Sequence, residues 1–144
     1  MKNKYFLLLF LLISVLGCTK TNSGKPTITI ESVTSVVPVD GILETKMKFT
    51  QSNGKLSGGT FIAIRQRLNI IPTPLLDQLA DTISGGIPEF PDKDKGEFVF
   101  TLQYTDLHEN DLRNDTLALK FIAIDTEGDS SDAVTTSPFT VLFQ

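Results

Sequence analysis

The sequence predicts an all-β domain, specifically a Greek-key sandwich of about seven strands, and two observations lead to it. Apolar and polar residues alternate with a period of two over six segments of up to about eleven residues, which is typical of half-buried strands. Turn-forming pairs such as Asp40-Gly41, Asn53-Gly54 and Glu127-Gly128 separate several of these segments. Turns at these intervals favour a sandwich.

The first half of the chain predicts three of these strands. In residues 27–31 the apolar positions alternate, and the phase shifts at Ser32, as a β-bulge or a strand that changes partners would require. Residues 42–51 place Leu43, Met47 and Phe49 on one face. Residues 60–68 form the third strand. The sequence predicts that its inward side chains are Ile62, Ile64 and Leu68, and its outward ones Phe61, Ala63, Arg65 and Arg67.

Residues 69–96 break the alternation, because they are rich in proline and glycine. Within them, apolar residues recur at helical spacing, namely Leu75, Leu76, Leu79, Ala80 and Ile83. Thr73 and Pro74 suit a helix start, and Gly85 suits its end. We therefore expect one short helix over residues 74–84 that covers an open edge of the core. The alternative is that Leu75, Leu76, Leu79 and Ile83 bind a partner. A short seventh strand is expected near residues 87–90.

The last third of the chain predicts three more strands. Residues 97–104 alternate strictly, and residues 116–125 do the same with Leu117, Leu119 and Phe121 on one face. A hairpin loop over residues 126–131 leads to the last strand, at about residues 133–143. That strand places Phe139, Val141 and Phe143 inward, and Pro138 indicates an edge or a bulge.

Residues 117–134 resemble the final hairpin of bacterial immunoglobulin-like and fibronectin type III-like domains. In those domains an alternating strand ends in an Asp, here Asp125, and a glycine turn, here Gly128, precedes the closing strand. The resemblance implies an immunoglobulin-like Greek-key architecture for residues 27–144. The cysteine pair, the core Trp and the tyrosine corner of that superfamily are absent.

The N-terminus has the composition of a secretory signal. Lys2 and Lys4 precede an apolar run over residues 5–13, which is too short to span a bilayer at the roughly 20 residues that a helix needs. A transmembrane anchor is the alternative interpretation.

Val15-Leu16-Gly17-Cys18 resembles the lipobox of bacterial lipoproteins. The resemblance implies that Val15, Leu16 and Gly17 are recognised by the signal peptidase, which cuts before Cys18. Cys18 would carry a diacylglycerol thioether and an N-acyl chain, enough lipid for stable anchoring. Residues 1–17 would then be the signal peptide, and residues 18–26 a lipidated flexible tether. Thr19, where an inner-membrane retention signal has Asp, implies an outer-membrane lipoprotein that faces the periplasm, with cell-surface display as the alternative.

Charge and composition exclude several functions. Loss of Lys2 and Lys4 with the signal leaves 11 basic and 17 acidic residues, a net charge of −6, which disfavours nucleic-acid binding. The chain has one Cys and no Trp. We therefore expect no disulfide and no stacking surface for a carbohydrate.

Catalytic and metal-binding patterns are sparse. His108 is the single histidine, and we expect it to be a solvated loop residue. No nucleophile stands in a recognisable motif, so the sequence predicts no enzyme and no cofactor apart from the lipid on Cys18. Asp125, Glu127 and Asp129 crowd one turn and are the candidates for calcium, although their spacing does not match an EF-hand.

The sequence therefore predicts a lipid-anchored envelope module with a binding or accessory role and no catalysis. It does not identify the ligand, for which an envelope protein is one candidate. The first alternative is a structural or adhesin-like assembly subunit that uses exposed strand edges. The second is a small calcium-binding or hydrolytic domain.

Overall fold

A computed structural model describes residues 24–51, 55–91 and 94–143. Two sheets make up this part of the chain. The small sheet has the strand order β1 (Thr27–Val33), β3 (Ile42–Thr50), β6 (Lys95–Gln103). The large sheet has the order β2 (Val36–Val37), β9 (Phe139–Val141), β7 (Asp115–Ile124), β4 (Thr60–Arg67), β5 (Thr82–Gly86), and β8 (Val134–Thr135) also pairs with β7.

This order is that of an immunoglobulin-like sandwich, so the predicted fold class is confirmed. The first and last strands are each interrupted. β1 pairs with β3, with a register shift between Ile30 and Ser32, and β2 then joins the other sheet parallel to β9. β8 and β9 both pair with β7 on either side of Pro138. If each interrupted strand is counted once, the sandwich has the predicted seven strands.

The predicted helix over residues 74–84 is wrong. The helical content of the described residues is one 3₁₀ turn, Tyr104–Asp106. Residues 75–77 form a turn, and Thr82–Gly86 form β5, which pairs antiparallel with β4. Of the five apolar residues at the predicted helical spacing, only Ile83 packs against the core, while Leu75 and Leu76 are exposed. Pairing with β4 has overridden a short apolar periodicity.

The seventh strand is therefore β5, and its prediction at residues 87–90 is wrong. Those residues run without strand pairing past the end of β4, where the Ile87 N–H donates to the Gly59 carbonyl at 2.8 Å.

The predicted faces of β4 are also wrong. Ala63 and Arg65 are buried and Phe61 packs against the core, whereas Ile62 and Ile64 lie half-buried on the outer face. The other strand faces are as predicted for β3, β6 and β7, but Phe143 is 45% exposed instead of inward.

Aromatic rings connect the two sheets across the core. Phe100 of β6 meets Phe61 of β4 and Phe121 of β7 edge to face, both at a centroid distance of 5.1 Å. Such pairs add about 0.5–1.5 kcal/mol to the free energy gained from burial.

Phe121→Ala should therefore lower the free energy of unfolding by about 3–5 kcal/mol, because it leaves a cavity and removes one ring pair. Chemical denaturation of the full chain measures the change. Phe143→Ala is the matched control, and its exposed ring should contribute less than about 1 kcal/mol. Equal losses for the two variants would contradict the assigned core.

Candidate functional site: the loop end opposite the tether

The N-terminal tether joins the domain at one end of the sandwich. The Gly24 carbonyl accepts a hydrogen bond from Gln51 Nε2 at 2.6 Å, and the same Nε2 donates to Asp125 Oδ2 at 2.7 Å. Lys25 Nζ lies 2.6 Å from Asp132 Oδ1. β7 runs from Asp115 at the other end to Ile124 here, so the two ends are about 30 Å apart by strand rise.

Two loops form the opposite end. The loop over residues 68–81 joins β4 to β5, and the loop over residues 104–114 joins β6 to β7. Asn69 Nδ2 donates to Asp115 Oδ1 at 2.9 Å, and the Thr116 N–H donates to Asn69 Oδ1 at 2.6 Å. These bonds hold the first loop against the start of β7.

Large apolar side chains cover the outside of these loops. We call this set the apolar tip: Ile70, Ile71, Leu75, Leu76 and Leu112. Their exposed fractions are 101%, 58%, 85%, 99% and 83%. Exposed apolar clusters of this kind mark sites of interaction. Two of the four predicted partner-binding residues, Leu75 and Leu76, are in the tip. Leu79 and Ile83 are half-buried instead.

Beneath the tip, one carboxylate is held by two arginines. Glu109 Oε1 accepts from Arg65 Nη1 at 2.8 Å and from Arg67 Nη2 at 2.7 Å. Glu109 Oε2 accepts from Arg67 Nε at 2.7 Å. The Glu109 side chain is fully buried, and the Arg65 side chain is 1% exposed.

The same three side chains fix both loops through the backbone. The Leu79 N–H donates to Glu109 Oε1 at 2.9 Å, and Arg67 Nη2 donates to the Leu79 carbonyl at 2.8 Å. Arg65 Nη2 donates to the Asp106 carbonyl, and Arg67 Nη1 donates to Asp81. Two of the three side chains project from β4, and the third, Glu109, belongs to the second loop and is bonded to both arginines. The bonds therefore fasten both loops to β4 and to each other.

The hydrogen bonds and neighbouring charges of this cluster favour the charged forms of Glu109 and Arg67. Burial alone would raise the pKa of Glu109. The hydrogen bonds from Arg67 and from the Leu79 N–H, with the charges of both arginines, outweigh it and hold that pKa below its ordinary value. The bond to Glu109 likewise raises the pKa of Arg67.

His108 does not lie in solvent, and this prediction is wrong. Its ring stacks on Tyr104 at a centroid distance of 4.8 Å and an interplanar angle of 15°. Its side chain is 14% exposed, and Nε2 lies 3.1 Å from Asp111 Oδ1. The contacts are those of a packing residue of the second loop.

The calcium candidates lie at the tether end. Asp125 Oδ1 accepts from the N–H groups of Glu127 and Asp129 at 2.9 and 2.8 Å, and Glu127 pairs with Lys55. Gly128 supplies the positive φ of 89° that this turn needs. The Asp125 side chain therefore organises the turn. In the part of the chain that the structure describes, no three His, Cys, Asp or Glu residues converge on a metal position.

The predicted signal-peptidase residues Val15, Leu16 and Gly17 and the predicted lipidation site Cys18 lie outside the described residues, as does the predicted turn at Asn53-Gly54. Over residues 24–51, 55–91 and 94–143, no helix has the length and apolarity to cross a membrane.

Comparisons with known proteins give no family for this chain. No family profile matches it, and no curated protein is similar to it at a significant level.

Three solved structures share part of its architecture. A β-glucosidase from Listeria innocua is 8% identical over 82% of this chain and 16% of its own, with a TM-score of 0.45. BcpA, the major pilin subunit of Bacillus cereus, is 11% identical over 83% and 41%, with a TM-score of 0.41. A cohesin module from a Clostridium perfringens glycoside hydrolase is 11% identical over 84% and 99%, with a TM-score of 0.38. The chain thus spans a small part of the first two, and likeness at this level says nothing about activity.

The sequence did not reveal the roles of Arg65, Arg67 and Glu109. Two arginines two residues apart in a strand share a face, which was a usable signal. Their partner lies more than forty residues away, where no local pattern points to it.

Glu109→Gln should lower the free energy of unfolding by about 3–5 kcal/mol, because it leaves two guanidinium groups without their shared carboxylate. Glu127→Gln is the matched control, since its pair with Lys55 is partly exposed and should contribute less than about 1 kcal/mol. Urea denaturation of both variants measures the contrast. A Glu109→Gln variant as stable as the control would contradict the described network.

The stability that Glu109 provides should also depend on pH. Its folded pKa lies below the ordinary value of 4.5, so the contribution is complete above about pH 4.5 and is lost as the pH falls through the folded pKa. The difference in Tm between the natural chain and Glu109→Gln should therefore be largest near pH 6 and shrink towards pH 3. A difference that stays constant over this range would contradict the charged pairing.

Proposed function

We propose that this protein is a non-catalytic binding module, anchored to the outer membrane of a Gram-negative bacterium through lipid on Cys18, whose apolar tip binds an envelope protein in the periplasm. The observation that carries the proposal is the position of the apolar tip. It lies at the end of the sandwich opposite the tether, and its five side chains are more than half exposed.

The apolar content of the tip favours a protein partner. Burying one exposed Leu or Ile side chain contributes about 1.5–3 kcal/mol, so the five together could support stable association. Because the tip offers only aliphatic groups, the surface of the partner that contacts it should be apolar and carry few charges.

Rigidity of the two loops also supports binding. Loops that are ordered before association lose less conformational entropy when the complex forms. The bonds from Arg65, Arg67 and Glu109 provide that order without using the tip side chains. The apolar tip can therefore bind a partner without a change in the conformation of its loops.

The position of the described residues 24–26, at the end of the sandwich opposite the tip, supports an anchored module. The lipobox-like residues 15–18 support lipidation at Cys18, and residues 19–26 can extend about 25–30 Å. Since the tether enters at one end, the tip at the other end would face away from the membrane that holds the lipid. The assembly-subunit alternative would instead use the strand edges on the sides of the sandwich.

Photo-crosslinking in cells tests the proposal. A photoreactive amino acid at Leu112 of the full chain should give one discrete crosslinked envelope protein. Leu75→Ser/Leu76→Ser in the same chain should reduce the crosslinked product at least about tenfold, because it replaces two apolar contacts, while Tm should stay unchanged because both side chains are exposed.

Two controls separate the parts of the proposal. Val36→Ser alters an apolar side chain of 47% exposure outside the tip, and it should leave the crosslink intact. Cys18→Ala should abolish membrane retention. An undiminished crosslink in the double Ser variant would remove the tip as the binding surface, and membrane retention of Cys18→Ala would remove the lipid anchor.

A further inference from the structure

Two strand edges stand open on the same side of the sandwich. β6 is the last strand of the small sheet and β5 the last strand of the large one, and no strand of the described residues pairs with the outer edge of either. Two clefts, each lined by residues of both strands or their adjoining turns, lie one after the other between these edges.

The hydrogen-bond pattern between β3 and β6 shows which backbone groups of β6 face this gap. The Gln51 N–H donates to the Asp94 carbonyl, and the Tyr104 N–H donates to the Gly41 carbonyl. Antiparallel pairs alternate between bonded and non-bonded, so the even-numbered residues of β6 bond to β3. The N–H and C=O groups of Glu97, Val99 and Thr101 therefore point towards the open edge.

The same argument applies to β5. The Ile87 N–H donates to the Gly59 carbonyl, and the Arg65 N–H donates to the Asp81 carbonyl. The odd-numbered residues on this side bond to β4, which leaves Thr82, Ser84 and Gly86 facing outward. The gap therefore offers peptide donors and acceptors at the repeat of a β-strand.

The first cleft beneath the gap is mainly apolar, and the second is lined by both aromatic and polar groups. The first, of about 330 Å³, is lined mainly by Leu79, Ala80, Ile83 and Leu102. The second, of about 240 Å³, is lined by Phe61, Phe98 and Phe100, next to Gly86. Side chains on one face of an added strand would enter them, because alternate residues of a strand point the same way.

Polar residues contribute less to the first cleft. Arg65, Thr105 and Asp106 also line it, but the Arg65 side chain is only 1% exposed and its charge is paired with Glu109. The surface that an added strand would meet there is therefore mainly that of the four apolar residues.

We propose that this gap, which we call the side groove, binds an extended segment of another protein that adds to β6 as a fourth strand of the small sheet. Its inward side chains are small, and they are apolar where they enter the first cleft. Strand addition of this kind draws affinity from the main chain and specificity from the pockets. Because the side groove lies away from the apolar tip, this proposal and the proposed function fail separately.

A different protein fits better than a second copy. The exposed apolar segment of this chain, residues 70–76, contains Pro72 and Pro74 and ends in a turn. The prolines cannot donate to a ladder, so the segment is a poor strand. The other described strands lie within the two sheets, so a second copy could offer only a sheet edge and not a free segment, and light scattering detects such edge-to-edge pairing.

A tethered strand tests the proposal in the full chain. We would extend the C-terminus with about 15 Gly and Ser residues and the segment Thr-Val-Thr-Val-Thr-Val-Thr. A linker of that length spans about 21 Å on average, more than the roughly 14 Å across the three strand spacings from β9 to β5, and gives a millimolar effective concentration. Hydrogen exchange at the Val99 and Thr101 amides should slow at least tenfold relative to the unextended chain.

Matched variants make the result specific to the groove. Val99→Pro removes an outward N–H without breaking the bonds to β3 and should abolish the effect at Thr101, while Val99→Thr keeps the N–H and should retain it. Replacing the Val residues of the added segment with Pro should also abolish protection. Tm of the unextended variants checks that each one folds.

Three outcomes would overturn the proposal. The first is unchanged exchange at both amides in the extended chain. The second is slow exchange in the unextended chain, which would mean that part of this chain already fills the groove. The third is a dimer in light scattering that Val99→Pro dissociates, which would assign the groove to a second copy.

Discussion

The ion pairs of the Glu109 carboxylate with Arg65 and Arg67 are the interaction on which the loop end of this sandwich depends. A buried charge is costly unless its partners satisfy it, and here four hydrogen bonds do so. Three elements meet at this point: strand β4, the loop before β5 and the loop after β6. The ion cluster thus connects the elements of the loop end. The Phe61, Phe100 and Phe121 rings connect the two sheets in the middle of the core in the same way.

Most strands could be predicted because one face of each is buried and the other is solvated. In β3 and β6 the apolar residues fall on a single face, so the period of two fixes both the strand and its orientation. In β4 the period of two does not show which face is buried. Its sequence TFIAIRQR has apolar residues on both faces, and the choice between them is made by Glu109, whose position relative to Arg65 is set only by the tertiary fold.

The wrong helix has a related cause. Leu75, Leu76, Leu79 and Ile83 match a helical period, but a helix there would have left the outer edge of β4 without a partner strand. Pairing over five residues supplies that partner. Gly85 fits because it has no side chain, since a Cβ there would lie 2.6 Å from the Phe61 ring. The reason for Gly85 is therefore a contact with a residue more than twenty positions earlier. Within the candidate site, the sequence proposed Leu75 and Leu76 as partner-binding residues, and the structure shows both exposed. It could not identify the charged cluster of Arg65, Arg67 and Glu109.

The charged cluster of Arg65, Arg67 and Glu109 explains how the apolar tip can expose so many large side chains. Most loops are held in place by burying their large apolar side chains, so few of these side chains are exposed. Here the backbone of the first loop is held at Leu79 and that of the second at Asp106, both by charged side chains from beneath. Ile70, Leu75, Leu76 and Leu112 are consequently not needed for the folding of their own loops. They can be fully exposed, at the end farthest from the tether, without loss of order in the loops that present them.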